Sequence, residues 1–219
     1  MAIIKLGEGV AAASGSLGGV TFSRNRGGPY IRRRVVPVNP NTIQQQFIRS
    51  LVSQLTSLWL STLTALQRES WDTYAFQVPL PNPLGALVNV GGLGMYVRSN
   101  VPRLQVGLSR IDNAPVEFNL GDFTAPTITT LVAPNVLTLA FTEADDWANE
   151  DDAAMLVYGS RGQNDSINFF KGPYRAFTGI LGDAAIPPTT PQILTWSFGL
   201  NIGQRGFLRA QVTRKDGRL

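Results

Sequence analysis

Residues 15–34 read GSLGGVTFSRNRGGPYIRRR, and this stretch decides the N-terminal part of the fold. Two β-prone runs, at residues 20–24 and 30–36, flank the turn-rich sequence Asn-Arg-Gly-Gly-Pro. Glycines between two such runs are the usual signal of a hairpin. We therefore predict two antiparallel strands joined by a tight turn.

Five arginines lie in or beside this hairpin. Because side chains alternate along a strand, Arg32 and Arg34 would project on one face and Arg33 on the other, beside Ile31. Basic groups would then project from both sides of the hairpin. The predicted partner-binding residues are Arg24, Arg26, Tyr30, Arg32, Arg33 and Arg34.

Such a cluster has three possible roles. Guanidinium groups bind carboxylates of a protein partner or phosphates of nucleic acid, and they can also form a solvated face without a role. Only Phe22 and Tyr30 are aromatic here, too few for a base-stacking platform, and no known nucleic-acid motif is present. We expect a protein partner in preference to nucleic acid.

The segments around the hairpin predict an arm and three helices. Residues 1–19 are mostly small and predict an extended arm, either frayed or ordered on a neighbouring subunit. Thr-x-x-Gln capping boxes at 42–45 and 64–67 open two helices, and a third is predicted at about 92–105. The residues expected to face the helical core are Ile43, Phe47, Leu51, Leu55, Leu58, Leu66, Trp71, Tyr74, Met95, Tyr96 and Val97.

Past residue 120 the pattern changes to short alternating runs separated by Gly and Pro. This is typical of an antiparallel β-sandwich of immunoglobulin or fibronectin type, with Leu137, Leu139 and Phe141 on a buried face. The predicted fold class is α+β, with an arm (1–19), a β-hairpin plus helical domain (20–120) and a β-sandwich domain (121–219).

Residues 143–152 carry six carboxylates in ten positions. Several carboxylate oxygens together can bind calcium, but the regular Asp-x-Asp-x-Asp-Gly loop with its distal Glu is missing. We expect a solvated loop between strands, with calcium binding as the alternative.

Composition excludes much enzyme chemistry, since the chain has no cysteine and no histidine. Thiol nucleophiles, Ser-His-Asp triads and thiolate or imidazole metal ligands are therefore impossible. We expect no enzymatic activity and no cofactor. There is no apolar run of membrane-spanning length and no secretory leader pattern, so we expect a soluble, unprocessed chain that does not bind membranes.

Several short patterns in the first part of the chain carry a resemblance. They are Tyr30-Ile-Arg32, Pro37-Val-Asn-Pro-Asn-Thr42, Gln46-x-x-Arg49, Gln67-Arg-x-x-Trp71-x-x-Tyr-Ala75 and Gly94-x-Tyr96-Val-Arg-x-Asn100. With these patterns the chain resembles small structural proteins of tailed bacteriophages and their prophages, up to about residue 125. The resemblance implies a virion component without enzymatic activity, attached to the capsid surface.

We therefore expect a capsid cement or decoration protein that binds the major capsid protein or other virion subunits. We also expect a homo-oligomer, and we take a trimer as its form. The alternative is a tail or head-fibre module whose β-sandwich binds a host-surface glycan. The candidate residues for sugar stacking are Trp147, Tyr158, Tyr174 and Trp196, although the position of Trp196 in a predicted strand favours a core role.

Overall fold

The structure is a computed structural model that describes residues 2–3, 7, 13–25, 28–36, 38–132, 135–196 and 198–219. Within these residues the chain forms three α-helices and five antiparallel sheets. The predicted α+β class is therefore confirmed.

The N-terminal sheet contains four strands in the order β1-β4-β3-β2. The strands are β1 (Ala2–Ile3), β2 (Gly15–Leu17), β3 (Val20–Asn25) and β4 (Gly28–Arg33). Phe22 lies opposite Ile31, so the predicted hairpin is confirmed. Two pieces of the predicted arm, β1 and β2, belong to the same sheet as the hairpin.

Three helices follow: α1 (Ile43–Ser61), α2 (Ala65–Gln77) and α3 (Gly92–Gln105). Both predicted capping boxes are present, and in the first the Gln45 amide donates to Thr42 Oγ1 at 3.3 Å. A small hairpin, β5 (Leu80–Pro81) and β6 (Leu87–Val88), connects α2 to α3. The bounds of α3 match the prediction.

The helical core is smaller than the apolar pattern predicts. Its buried members are Leu55, Trp59, Leu63, Trp71, Tyr74, Ala75, Met95 and Tyr96. Ile43 is 86% exposed, and Phe47 and Leu66 are also exposed, so their predicted core positions are wrong. The buried residues of α1 begin only at Leu51, because the first two turns of this helix lie beyond the core.

Two three-stranded sheets make up most of the C-terminal part. One has the order β12-β8-β7 and the other β11-β9-β14. The strands are β7 (Thr127–Val132), β8 (Val136–Ala140), β9 (Ala154–Gly159), β11 (Arg175–Leu181), β12 (Gln192–Thr195) and β14 (Leu208–Thr213). A separate two-stranded sheet pairs β10 (Gln163–Asn164) with β13 (Gln204–Arg205).

One buried cluster joins side chains from both larger sheets. Leu139 on β8, Met155 and Val157 on β9, and Ile180 on β11 share it with Trp147. The predicted burial of Leu137, Leu139 and Phe141 is confirmed. The predicted boundary at 120/121 falls in the connection between α3 and β7, which has neither helix nor strand.

Candidate partner-binding surface

The N-terminal sheet divides the predicted partner-binding arginines between its two faces. Val20 lies opposite Arg33 and Arg24 opposite Pro29, so both arginines share the face that carries Phe22. Arg32 pairs with Thr21 and lies on the other face, the face of Tyr30. Arg34 follows directly after β4, and its amide donates to the Gly19 carbonyl at 2.9 Å. Arg26 lies outside the described residues.

We use the name arginine surface for four of the predicted residues, which together cover both faces of the sheet at this place: Arg24, Arg32, Arg33 and Arg34. All four side chains are exposed, whereas Tyr30 is half-buried. Across the described residues, none of the four guanidinium groups makes a side-chain hydrogen bond or an ion pair. Their charges are therefore available to a partner.

The sheet that carries the arginine surface has little core of its own. No described residue of β2, β3 or β4 is buried, and Phe22 and Ile31 are only half-buried on the face that they share with Arg24 and Arg33. The outer strand β2 is exposed along its length. An edge strand of this kind presents unpaired backbone N–H and C=O groups to which another chain can add a strand.

The connection from this sheet to α1 is also exposed and apolar. Val35, Val36 and Val38 are 76%, 84% and 90% exposed. The sequence signal was the apolar run Val-Val-Pro-Val, which we interpreted only as an extended connection. Exposed apolar groups beside an unpaired basic cluster are typical of a surface that is covered on assembly.

The acidic segment 143–152 is a loop between β8 and β9, as predicted, and four of its six acidic residues are exposed, but the other two are not solvated. Asp145 and Glu150 are buried. Asp145 accepts hydrogen bonds from the amide and the hydroxyl of Thr124, at 2.8 Å and 3.1 Å. Glu150 Oε2 lies 2.6 Å from Arg214 Nε. These carboxylates connect distant parts of the chain, which is why they are withdrawn from solvent.

Other carboxylates of this segment are also engaged. Asp146 accepts from the Asp122 amide at 2.9 Å, and this hydrogen bond, with help from Arg214, lowers the pKa of the Asp146 carboxyl. Asp151 accepts from the Ala184 amide at 2.9 Å. Within the described ranges, no group of three or more acidic side chains is placed to hold a metal ion.

The four aromatic residues suggested for sugar stacking do not form a platform. Trp147 and Trp196 are each only 1% exposed, so sugar stacking by Trp147 is wrong and the core role favoured for Trp196 is confirmed. Trp196 Nε1 donates to the Ser160 carbonyl at 3.1 Å, as expected for a core tryptophan. Tyr158 and Tyr174 are half-buried. Burial raises the pKa of Tyr158.

In the part of the chain that the structure describes, no helix combines the length and apolar character needed to cross a bilayer. No protein-family model, curated protein or solved structure matches this chain. The fold itself gives the class of protein, which is α+β with an exposed, basic N-terminal sheet.

Proposed function

We propose that this chain is a structural subunit of a tailed-phage virion, a capsid cement or decoration protein that stabilises the shell by binding capsid subunits. The observation that carries the proposal is the arginine surface on a sheet in which no described residue of β2, β3 or β4 is buried. A sheet with so little core of its own gains most from a partner that covers it. The resemblance to phage structural proteins supplies the kind of partner.

Attachment would use two kinds of contact. The exposed edge of β2 can accept a strand from a neighbouring subunit, and main-chain hydrogen bonds of this type give affinity with little dependence on side chains. The arginine surface would pair with carboxylates of the shell through charge-assisted hydrogen bonds. Repetition of a weak contact over a symmetric shell multiplies its effect, and we propose a homo-oligomer, a trimer to suit the lattice of a shell.

The C-terminal part would serve as the outward-facing body of the subunit. We propose that its two three-stranded sheets form a sandwich of the immunoglobulin or fibronectin kind. The shared cluster of Leu139, Met155, Val157 and Ile180 supports this arrangement. In this proposal the chain has no catalytic role, and its location is the virion.

The proposal is tested with purified particles that lack this protein. Adding back the full-length chain should restore binding to the shell and raise resistance to heat and to low salt. The variant Arg32→Glu/Arg33→Glu should bind about tenfold more weakly or worse, because like charges would then face the shell carboxylates. Particles that are equally resistant with and without the protein would contradict the cement role.

A matched control separates a local effect from a change in net charge. Arg98→Glu/Arg209→Glu makes the same charge change at two exposed arginines on α3 and β14. This control should bind the shell like the unmodified chain. If both double variants lose binding equally, the arginine surface is not the contact and attraction depends only on overall charge.

A further inference from the structure

Two arginines of the C-terminal part meet over one aromatic ring, far along the chain from the arginine surface. The guanidinium carbon of Arg161 lies 5.9 Å from the centre of the Phe198 ring, and that of Arg175 lies 5.5 Å from it. Both distances are within the range of cation–π contacts. Both guanidinium groups therefore lie against the same ring.

Neither guanidinium has a counter-ion in the chain. Within the described ranges no carboxylate forms an ion pair with Arg161 or Arg175. Asp165, the acidic residue nearest to Arg161 in sequence, pairs instead with Arg205 at 2.8 Å. An anion that reaches both groups would supply the counter-charge that the described residues do not.

The same two side chains line a cavity of about 280 Å³. Its other walls are Phe170, Phe198, Pro173 and Gln163. The ring of Phe170 stacks on the ring of Phe207, with the ring centres 5.6 Å apart, and this contact holds Phe170 in place. The volume is just below the range of roughly 300 to 1,000 Å³ typical of small-molecule sites, so it suits one small ring compound.

The walls combine charge, apolar surface and an amide. The two guanidinium groups offer forked donors that match a carboxylate. Phe170 and Pro173 offer apolar surface to the face of a ring, and the Gln163 amide oxygen can accept from a hydroxyl while its Nε2 donates to the Arg161 carbonyl at 3.0 Å. A sugar ring with a carboxylate has each of these complementary features, whereas an acidic side chain of a peptide has only the charge.

We propose that this cavity, which we call the Arg161/Arg175 cavity, is a binding site for an acidic monosaccharide unit, its carboxylate held between the two guanidinium groups. The site is independent of the proposed cement function. It lies on the C-terminal part, and its ligand could be tested on a chain that does not bind any shell. None of the aromatic residues that the sequence suggested for sugar stacking lines this cavity. One of them, Tyr174, contacts the lining residue Phe170, with ring centres 5.2 Å apart.

The test is an NMR titration of the full-length chain in about 150 mM salt with glucuronic acid and with glucose, two sugars that differ at the C6 carboxylate. Glucuronic acid should bind at millimolar strength and shift the amide signals of residues lining the cavity, while glucose should bind at least tenfold more weakly. Equal binding of the two sugars would overturn the proposal, and so would the absence of binding by either.

Two further probes separate the proposed ligand from simpler anions. Acetate supplies a carboxylate without a ring, and a short oligoglutamate supplies the charge of an acidic peptide. Both should bind at least tenfold more weakly than glucuronic acid. If acetate binds as tightly, the cavity is a general anion site. If oligoglutamate binds more tightly, the partner is an acidic protein segment. Either result overturns the saccharide proposal.

Variants then assign the binding to the two arginines. Arg161→Gln and Arg175→Gln should each weaken glucuronic acid binding about tenfold, as expected for loss of a hydrogen bond to a charged group. Arg209→Gln, at an exposed arginine of β14, should leave binding unchanged. Arg175→Lys keeps the charge and the fold but loses the fork, and it should bind glucuronic acid more weakly than the unmodified chain. Unchanged binding in both glutamine variants would overturn the assignment.

Discussion

Arg103 Nη1, on α3, donates a 2.8 Å hydrogen bond to the main-chain oxygen of Arg214, directly after β14. The same guanidinium donates to the carbonyls of Asp152 at 2.8 Å and Ser109 at 3.0 Å. Arg103 is only 2% exposed, and burial lowers the pKa of its guanidinium. One buried cation thus joins the helical part of the chain to the C-terminal strands.

Replacing Arg103 should therefore lower the stability of the folded chain. Arg103→Met removes three hydrogen bonds, leaving the buried Arg214 carbonyl and the partly buried carbonyls of Asp152 and Ser109 without this donor. We therefore expect the free energy of unfolding to fall by about 2 to 4 kcal/mol. Urea denaturation followed by tryptophan fluorescence measures this change. Arg98→Met, at an exposed arginine on the same helix, should change the unfolding free energy by less than about 0.5 kcal/mol. Equal effects of the two substitutions would contradict the joining role of Arg103.

The ion pair between Arg214 and Glu150 should also contribute strongly. The two side chains are each about 10% exposed and approach to 2.6 Å. Removing one partner takes away the shortest ion pair of the other and leaves longer ones, to Asp146 at 3.3 Å for Arg214 and to Lys215 at 3.5 Å for Glu150. We therefore expect Arg214→Met or Glu150→Met to cost about 3 kcal/mol, the lower end for breaking a buried pair, and the double variant to cost clearly less than the sum. A double-mutant cycle in urea measures the coupling.

The exposed pair between Arg205 and Asp165 provides the comparison for that cycle. Its side chains are 44% and 73% exposed although the atoms are 2.8 Å apart. Solvent screening should limit its coupling energy to about 1 kcal/mol or less. Additive effects at Arg214 and Glu150 would show that burial does not strengthen their pair.

Tyr96 should make the chain sensitive to alkaline pH. Burial raises the pKa of its hydroxyl to about 12. Between pH 10 and pH 12 the unfolded chain loses this proton while the folded chain keeps it, so the free energy of unfolding should decrease as the pH rises through this window. Tyr96→Phe should make that decrease smaller. Chemical denaturation at pH 7 and at intervals from pH 9.5 to 11.5 tests this.

The same substitution has a second consequence at neutral pH. In the described part of the chain the buried Tyr96 hydroxyl has no hydrogen-bond partner. Tyr96→Phe should be neutral or stabilising by up to about 1 kcal/mol at pH 7. Tyr174→Phe removes a hydroxyl that donates to the Phe170 carbonyl at 2.9 Å, and it should destabilise the chain by about 1 kcal/mol. The reverse order of the two effects would refute the role given to each hydroxyl.

Gly182 should not accept a side chain. A Cβ atom at this position would lie 2.0 Å from the Trp147 carbonyl oxygen and 2.7 Å from that of Glu150. Because both neighbours are backbone atoms, we expect Gly182→Ala to cost about 1 to 3 kcal/mol or more. At Gly199 the nearest atom to an added Cβ is 3.9 Å away, so Gly199→Ala should change stability by less than about 1 kcal/mol. Thermal unfolding of both variants tests the contrast.

Local signals were sufficient to predict many of the elements. The turn residues at 25–29 predicted the hairpin of β3 and β4, and the two Thr-x-x-Gln boxes predicted where α1 and α2 begin. These features depend on residues within a few positions of each other, so the sequence alone contains them. Apolar periodicity was a weaker guide, because Ile43 and Leu66 fit a helical stripe but are not covered by any element of the described chain.

Composition and short-range pattern are sufficient for the α+β class, for the hairpin with its arginines and for the exclusion of cysteine and histidine chemistry, because none of these depends on how distant segments pack. Which charges are buried, and which groups they contact, follows from the packing of the folded chain. Arg103 donates to the main-chain oxygen of Arg214, 111 positions away in sequence. Arg161 and Arg175 both lie against the ring of Phe198. Such contacts depend on how distant strands and helices pack, and no local pattern encodes that distance.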